Sequence, residues 1–282
     1  MNDLKNCFFC ISDPDTPFLT ELMEELVSEN VTLYTIDPDR AFPVGPIPDN
    51  SYTITDNMTG VNFARLHDTG YIAYLPEGRT ALNGHISDTE CVIEGFDEIT
   101  ADFVEKMYQR KRQLPWLITE TERTLIRELT LDDIDALFAL YEDPDIKRFI
   151  PPLLPTKEEE RDFQKAYIEK MYGFFGYGFW NIIDKTTGAL MGRAGFSNRE
   201  GFSDPEIGYL LSEPYRKQGI ATEVCTALLN YARDILGFTD INAFIRPDNL
   251  PSVRFAEKLG FIPTNESVKV DDHTLTKYIK RI

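Results

Sequence analysis

The sequence contains no run of about 18 uncharged apolar residues, and residues 1–13 show no basic segment followed by an apolar one. Neither membrane spanning nor export is expected, and the cytoplasm is the expected location. Basic residues are scarce: 29 Lys and Arg stand against 47 Asp and Glu in 282 residues, a formal charge of −18. Residues 1–117 hold 8 against 20, a formal −12, and the remainder 21 against 27, a formal −6. A nucleic-acid partner needs clustered Lys and Arg on the phosphates, so none is expected. An acidic surface favours a cationic substrate such as an amine, and serves solubility equally well. Only four cysteines occur, Cys7, Cys10, Cys91 and Cys225. Cys7 and Cys10 have the spacing of a redox or zinc pair, but in a strand, positions three apart face opposite ways. No second ligand pair accompanies them, and no metal site is expected. His67, His85 and His273 form no set, and no internal repeat is visible.

Length and pattern point to two domains, 1–117 and 118–282. The first alternates short apolar runs with helical periods: strands at Cys7–Ile11, Val31–Ile36, Ser51–Thr55, Tyr71–Leu75 and Cys91–Ile93, and helices at Pro17–Ser28, Gly60–His67 and Ala101–Arg112. That alternation predicts a small parallel, Rossmann-like α/β sheet. Phe42–Asn50, with Pro43, Gly45, Pro46 and Pro48, reads as a loop, and residues 113–122 as the connection between domains.

The second domain reads as α+β with a largely antiparallel sheet. Thr124–Glu128 is a strand, and Thr130 caps a helix at Leu131–Tyr141. Thr156 and Glu159 form a capping box ahead of a helix to Tyr172, with Phe163, Tyr167 and Met171 as its apolar face. Gly178–Asp184 and Ala189–Phe196 make a hairpin, and Glu206–Ser212 is the next strand. A helix over Gly219–Leu236 presents Ile220, Val224, Leu228, Tyr231 and Ile235, and Gly237 ends it. Asp240–Arg246 is a strand, Pro251–Leu259 a short helix, and the chain closes in a hairpin.

The most informative segment is Arg216 Lys217 Gln218 Gly219 Ile220 Ala221, between a strand and a helix. A phosphate-binding turn needs a glycine where a ligand approaches the backbone, a small residue where the helix begins, and free N–H donors. Glycine beside basic residues at a helix start also serves as a plain cap, so order and spacing carry the weight. Arg216, Gly219 and Ala221 match the GNAT acetyltransferase pattern of Gln or Arg, any two, Gly, any one, Gly or Ala. Asn249, Ser252 and Glu257 to Phe261 match that superfamily's second signature. Residues 123–282 thus resemble the GNAT superfamily, and Arg123–Arg127, Glu206–Tyr209, Thr222 and Glu223 are similar to its RimJ/RimL type.

This resemblance implies an N-acetyltransferase that takes acetyl from acetyl-CoA, without a metal, and transfers it to a primary amine by direct attack in a ternary complex. The acceptor is a protein N-terminal α-amine or a small-molecule amine, and a homodimer is open. It implies a V-shaped gap between the strands at 206–212 and 240–246, with pantetheine along Leu210, Leu211 and Ser212 and the pyrophosphate at Arg216 to Ala221. Asn249 caps the short helix and also touches the cofactor.

Glu206 is the candidate base, with an ion-pair partner or solvated carboxylate as the alternative. The Leu211 N–H is the candidate oxyanion donor. Many members use a tyrosine seven residues after the Asn, where this chain has Ala256, so Ser252 becomes the candidate proton donor, or else a helix first-turn hydroxyl. The missing tyrosine also leaves open a coenzyme A-binding sensor without turnover. Trp180 and Tyr177, in an aromatic cluster with Phe174, Phe175 and Phe179, border the acceptor pocket in this family, while core packing is the commoner fate of such clusters. In the first domain, Asp13, Asp15 and Thr55–Asn57 faintly resemble the motifs of haloacid-dehalogenase-like phosphatases, with the threonine one position early. Asp13 and Asp15 read as a turn, and the domain's role is unknown.

Overall fold

The computed structural model describes residues 3–42, 44–76, 82, 86–270 and 272–282. Pro43, within the expected loop, and His85 lie outside them. The chain divides into two compact units, Met1–Leu114 and Pro115–Ile282.

The first unit is a parallel α/β sheet. Its strands are β1 (Asn6–Cys10), β2 (Thr32–Thr35), β3 (Ser51–Thr55), β4 (Tyr71–Tyr74) and β5 (Cys91–Ile93), in the order β2-β1-β3-β4-β5, all parallel. Helix α1 (Leu19–Ser28) crosses from β1 to β2 and α2 (Met58–His67) from β3 to β4, and α3 (Ala101–Lys111) follows β5. The central strands β1 and β3 are buried at every position, as strands of a parallel sheet covered on both faces are. Cys7 and Cys10 are both free thiols, buried inside β1. Burial pushes the Cys7 thiol far up, and both behave as small core residues. Asp13 makes the expected turn: its carboxylate accepts from the Asp15 N–H at 3.1 Å and its carbonyl from the Thr16 hydroxyl at 2.7 Å.

The second unit is built on an eight-stranded sheet. Its strands are β6 (Leu117–Glu120), β7 (Thr124–Arg127), β8 (Phe179–Asp184), β9 (Leu190–Ser197), β10 (Glu206–Leu211), β11 (Asp240–Ile245), β12 (Ile262–Val270) and β13 (His273–Arg281). The order is β12-β13-β11-β10-β9-β8-β7-β6, antiparallel except for β10 beside β11. The helices are α4 (Ile134–Tyr141), α5 (Pro144–Phe149), α6 (Lys157–Tyr167), α7 (Ile220–Asp234) and α8 (Leu250–Lys258). One core runs under the sheet, with Trp180, Phe196, Ile207, Val224, Leu228 and Ile241 at its centre.

Four expectations are corrected. Residues 117–120 are an edge strand paired with β7, and not part of a linker; Pro115 and Trp116 disguised a segment of only four strand residues. Helix α6 stops at Tyr167 and continues as a wider π turn over Ile168–Phe175. Its buried face carries Glu160 and Gln164, whose side chains bond each other at 2.7 Å, whereas Phe163 is exposed. Ile235 is exposed because it lies one residue past the end of α7. The capping boxes at Thr130 and Thr156 are both formed.

Candidate active site

Strand β10 controls the site through its backbone parity. It is antiparallel to β9 along its length, and the Ser212 N–H continues that ladder by donating to the Met191 carbonyl at 2.9 Å. Alternation then turns the N–H and C=O of Glu206, Gly208 and Leu210 toward β9, and those of Ile207, Tyr209 and Leu211 toward β11. Yet β11 meets β10 at a single register point, Glu206 opposite Asn242, where the Asn242 N–H donates to Pro205 at 2.8 Å. Beyond that point the strands part. The N–H groups of Tyr209 and Leu211 face the gap with no strand partner. Ser212, expected to face the gap, instead commits its N–H and its hydroxyl to Met191, and the Leu210 backbone faces β9; Leu210 reaches the cleft only with its side chain.

The turn after β10 closes one end of the gap. Lys217 (φ 59) and Gly219 (φ 83) are left-handed on either side of Gln218, and α7 starts directly after them. Among the described residues, the N–H groups of residues 217 to 222 have no acceptor, because the first helical bond outside the helix interior is Glu223 N–H to Gly219 C=O. Six consecutive free donors at the positive end of a 15-residue helix have the make-up that an anion site needs.

Arg216 does not add its charge to that site as expected. Its Nε donates to the Leu211 carbonyl at 2.9 Å, its Nη1 to Asp145 at 2.7 Å, and its Nη2 to Asp143. Burial alone would push the Asp143 carboxyl up, but the Arg216 guanidinium and the N–H groups of Asp145 and Ile146 outweigh it and hold the carboxyl low. Arg216 therefore fastens the turn to the end of β10 and to the N-terminus of α5. Lys217 carries no ion pair among the described residues, and it borders the cleft.

The gap opens into a cleft of about 740 Å³ walled by α5, β10, the turn, the start of α7 and α8. On its α8 side Asn249 accepts from the Ser252 N–H at 3.3 Å, so its side chain is the helix cap. Ser252 borders the cleft beside the Tyr209 phenol. Facing it, Tyr209 packs against Phe255 at 4.7 Å between ring centroids, and its hydroxyl lies 3.4 Å from the Ser252 carbonyl. Burial pushes this phenol up, so it keeps its proton. Ala256, seven residues after Asn249, is buried in the core.

Glu206 lies at the other end of β10, where the strands meet. Its carboxylate takes two hydrogen bonds from Arg199, 2.6 Å from Nε and 3.1 Å from Nη2, and both belong to a second, polar cavity of about 570 Å³. Trp180 is corrected: it is wholly buried, edge-on to Phe196 and Tyr231, and borders neither cavity. Tyr177 packs on Phe238 and donates to the Asn198 side chain at 2.8 Å, beside the polar cavity and not among the residues that wall it. Sequence reasoning marked Tyr209 only as part of the Glu206–Tyr209 match and missed Asp143 and Arg199 as site residues; Asp143 before Pro144 was the one local signal, of a helix start.

The comparisons agree with this architecture. Residues 123–262 match the family described as the Acetyltransferase (GNAT) domain. An uncharacterized N-acetyltransferase of Bacillus subtilis, YnaD, is 30% identical over 140 residues, which are 50% of this chain and 79% of that protein. A GNAT-family acetyltransferase structure from Bordetella pertussis is 25% identical with a TM-score of 0.50, covering 57% of this chain and 98% of that one. RimL, a ribosomal alpha-N-protein acetyltransferase, shares the fold at 20% identity with a TM-score of 0.51, over 60% of this chain and 96% of its own. The free-donor turn, the parted strands and these likenesses converge: the chain belongs to the GNAT acetyltransferases, a family that uses acetyl-CoA.

Proposed function

We propose that residues 118–282 transfer an acetyl group from acetyl-CoA to a primary amine in a ternary complex. The observation that carries this is the row of six free N–H donors beside Lys217, at the mouth of a gap whose wall offers the unpaired N–H groups of Tyr209 and Leu211. A pyrophosphate needs the first, and an extended amide chain needs the second. The cleft residues thus fit acetyl-CoA, which supplies the thioester.

Glu206 takes the proton from the attacking amine, directly or through a water. A C–N bond forms, the C–S bond breaks, and the electron pair leaves with sulfur, which must gain a proton. Along β10 the Tyr209 N–H is about 10 Å and the Leu211 N–H about 16 Å from Glu206 at a strand's rise per residue. The nearer N–H therefore suits the carbonyl under attack, and the Leu211 N–H, our first candidate from sequence, suits the adjoining amide of the pantetheine arm. Of the hydroxyl-bearing residues on the cleft, Tyr209, Thr222 and Ser252, the Tyr209 phenol keeps its proton and donates it to sulfur, with Ser252 as a hydrogen-bond donor beside it. The acceptor is a protein α-amine or a small-molecule amine. The test is a calorimetric titration with coenzyme A followed by thiol release from acetyl-CoA across amines and peptides. Absence of binding refutes the cleft, and binding without thiol release to any amine refutes the transfer.

A further inference from the structure

The polar cavity at the closed end of β10 holds a bidentate acid–base pair with capacity left over. Arg199 spends its Nε and Nη2 on Glu206, and the pair is shielded, with side-chain exposures of 26% and 15%. The guanidinium lies over the Phe244 ring at 4.6 Å, and Phe244 packs in turn on Phe202 at 4.9 Å. This stacking fixes the plane of the fork. Its Nη1 has no partner among the described residues, nor does the Nζ of Lys269, which borders the same cavity from β12. The free edge of the Arg199 fork and the Lys269 ammonium thus border, together with Glu206 and Glu200, one polar cavity of about 570 Å³.

We propose that this cavity receives the acceptor, and that the acceptor carries a carboxylate next to its amine, as an α-amino acid does. The inference rests on the transferase reading with Glu206 as base. The ligand carboxylate binds the free edge of Arg199 and the Lys269 ammonium, and its amine binds a Glu206 oxygen. Glu206 and Arg199 are already one hydrogen bond apart, which matches the amine-to-carboxylate separation across one carbon. An incoming carboxylate draws the guanidinium toward itself and loosens its hold on Glu206, so the group that confers specificity also releases the base. Arg suits this role because one planar fork serves two carboxylates at once, which a lysine ammonium does with less directional control.

The experiment measures thiol release from acetyl-CoA by the full chain with matched acceptors: phenylalanine, phenylalaninamide and phenethylamine, with leucine and leucinamide as a second set. Rates are scaled to the free-base fraction of each amine, since an α-amine beside an amide titrates near 8 and is otherwise favoured. We expect kcat/KM for the acids to exceed that for the amides by tenfold or more, with the ratio falling to within about threefold in Arg199→Met and only partly in Arg199→Lys. A coenzyme A titration of each variant reports that the unit is folded. An amide used as well as its acid by the unaltered protein overturns the inference while leaving the transferase reading intact. So does an acid preference that survives Arg199→Met. Thiol release to no amine at all, with coenzyme A bound, overturns the transferase reading and this inference with it.

Discussion

Replacing Arg216 by methionine separates a structural cation from a ligand-binding one in the same turn. The side chain of Asp143 is 10% exposed and that of Arg216 26%, while that of Asp145 is 75% exposed. The Asp145 bond is therefore a surface contact worth little, about 0–1 kcal/mol. The Asp143 and Leu211 bonds are shielded, and their loss leaves a carboxylate and a carbonyl without their donor. Breaking a fully buried pair costs about 3–5 kcal/mol, so this partly covered one costs about 2 kcal/mol. For a unit of this size that is a fall of about 4–8 °C in Tm. Two units are present, so the transition to follow in scanning calorimetry is the one that added coenzyme A raises. Lys217→Met should leave that Tm in place and weaken coenzyme A binding about tenfold, with a shallower salt dependence. The sign with pH follows from the lowered Asp143 carboxyl: its contribution is present above the unfolded value near 3.9 and is lost as pH falls through the folded value. The Tm difference between Arg216→Met and the unaltered protein should therefore shrink in acid. An Arg216→Met variant that melts with the unaltered protein at pH 7 would falsify the fastening role.

Three further outcomes are expected. Glu206→Gln should lower kcat by about 10²-fold or more; full activity in thiol-release assays sinks the base assignment. Tyr209→Phe should lower kcat about 10²-fold with little change in KM for acetyl-CoA, and Ser252→Ala should lower it less; the opposite ranking in thiol-release assays transfers the donor role to Ser252. At Gly208 an added Cβ would sit 2.4 Å from the Phe179 ring, which lies across β9 and β10, so Gly208→Ala should destabilise by about 1–3 kcal/mol in urea unfolding; an unchanged midpoint means the ring is free to move away.

What the sequence revealed was local. The glycine at 219, the Thr130 and Thr156 caps and the period of α7 are each set by residues within a turn of one another, and all but the last position of the α7 face, Ile235, are found where the pattern placed them. Order and spacing did the rest for the GNAT fold. The parity of β10 was not legible, because which of Leu210, Leu211 and Ser212 faces the gap depends on where the ladder with β9 starts. Nor was the fate of Arg216, whose carboxylate partners are 71 and 73 residues away, in a six-residue helix whose only signature is an Asp before a Pro. Trp180 illustrates the same limit from the other side: an aromatic in a cluster carries no mark that tells core from pocket until its neighbours are known.

The single contact between Glu206 and Asn242 has a mechanical consequence. In its backbone ladder the large sheet is two leaves, β6 to β10 and β11 to β13, joined by one register pair, while side chains such as Arg199 and Phe202 on Phe244 pack across the join. In the complex proposed above, a donor molecule laid between them adds the bonds that this seam lacks, so added coenzyme A should slow amide exchange along β10 and β11.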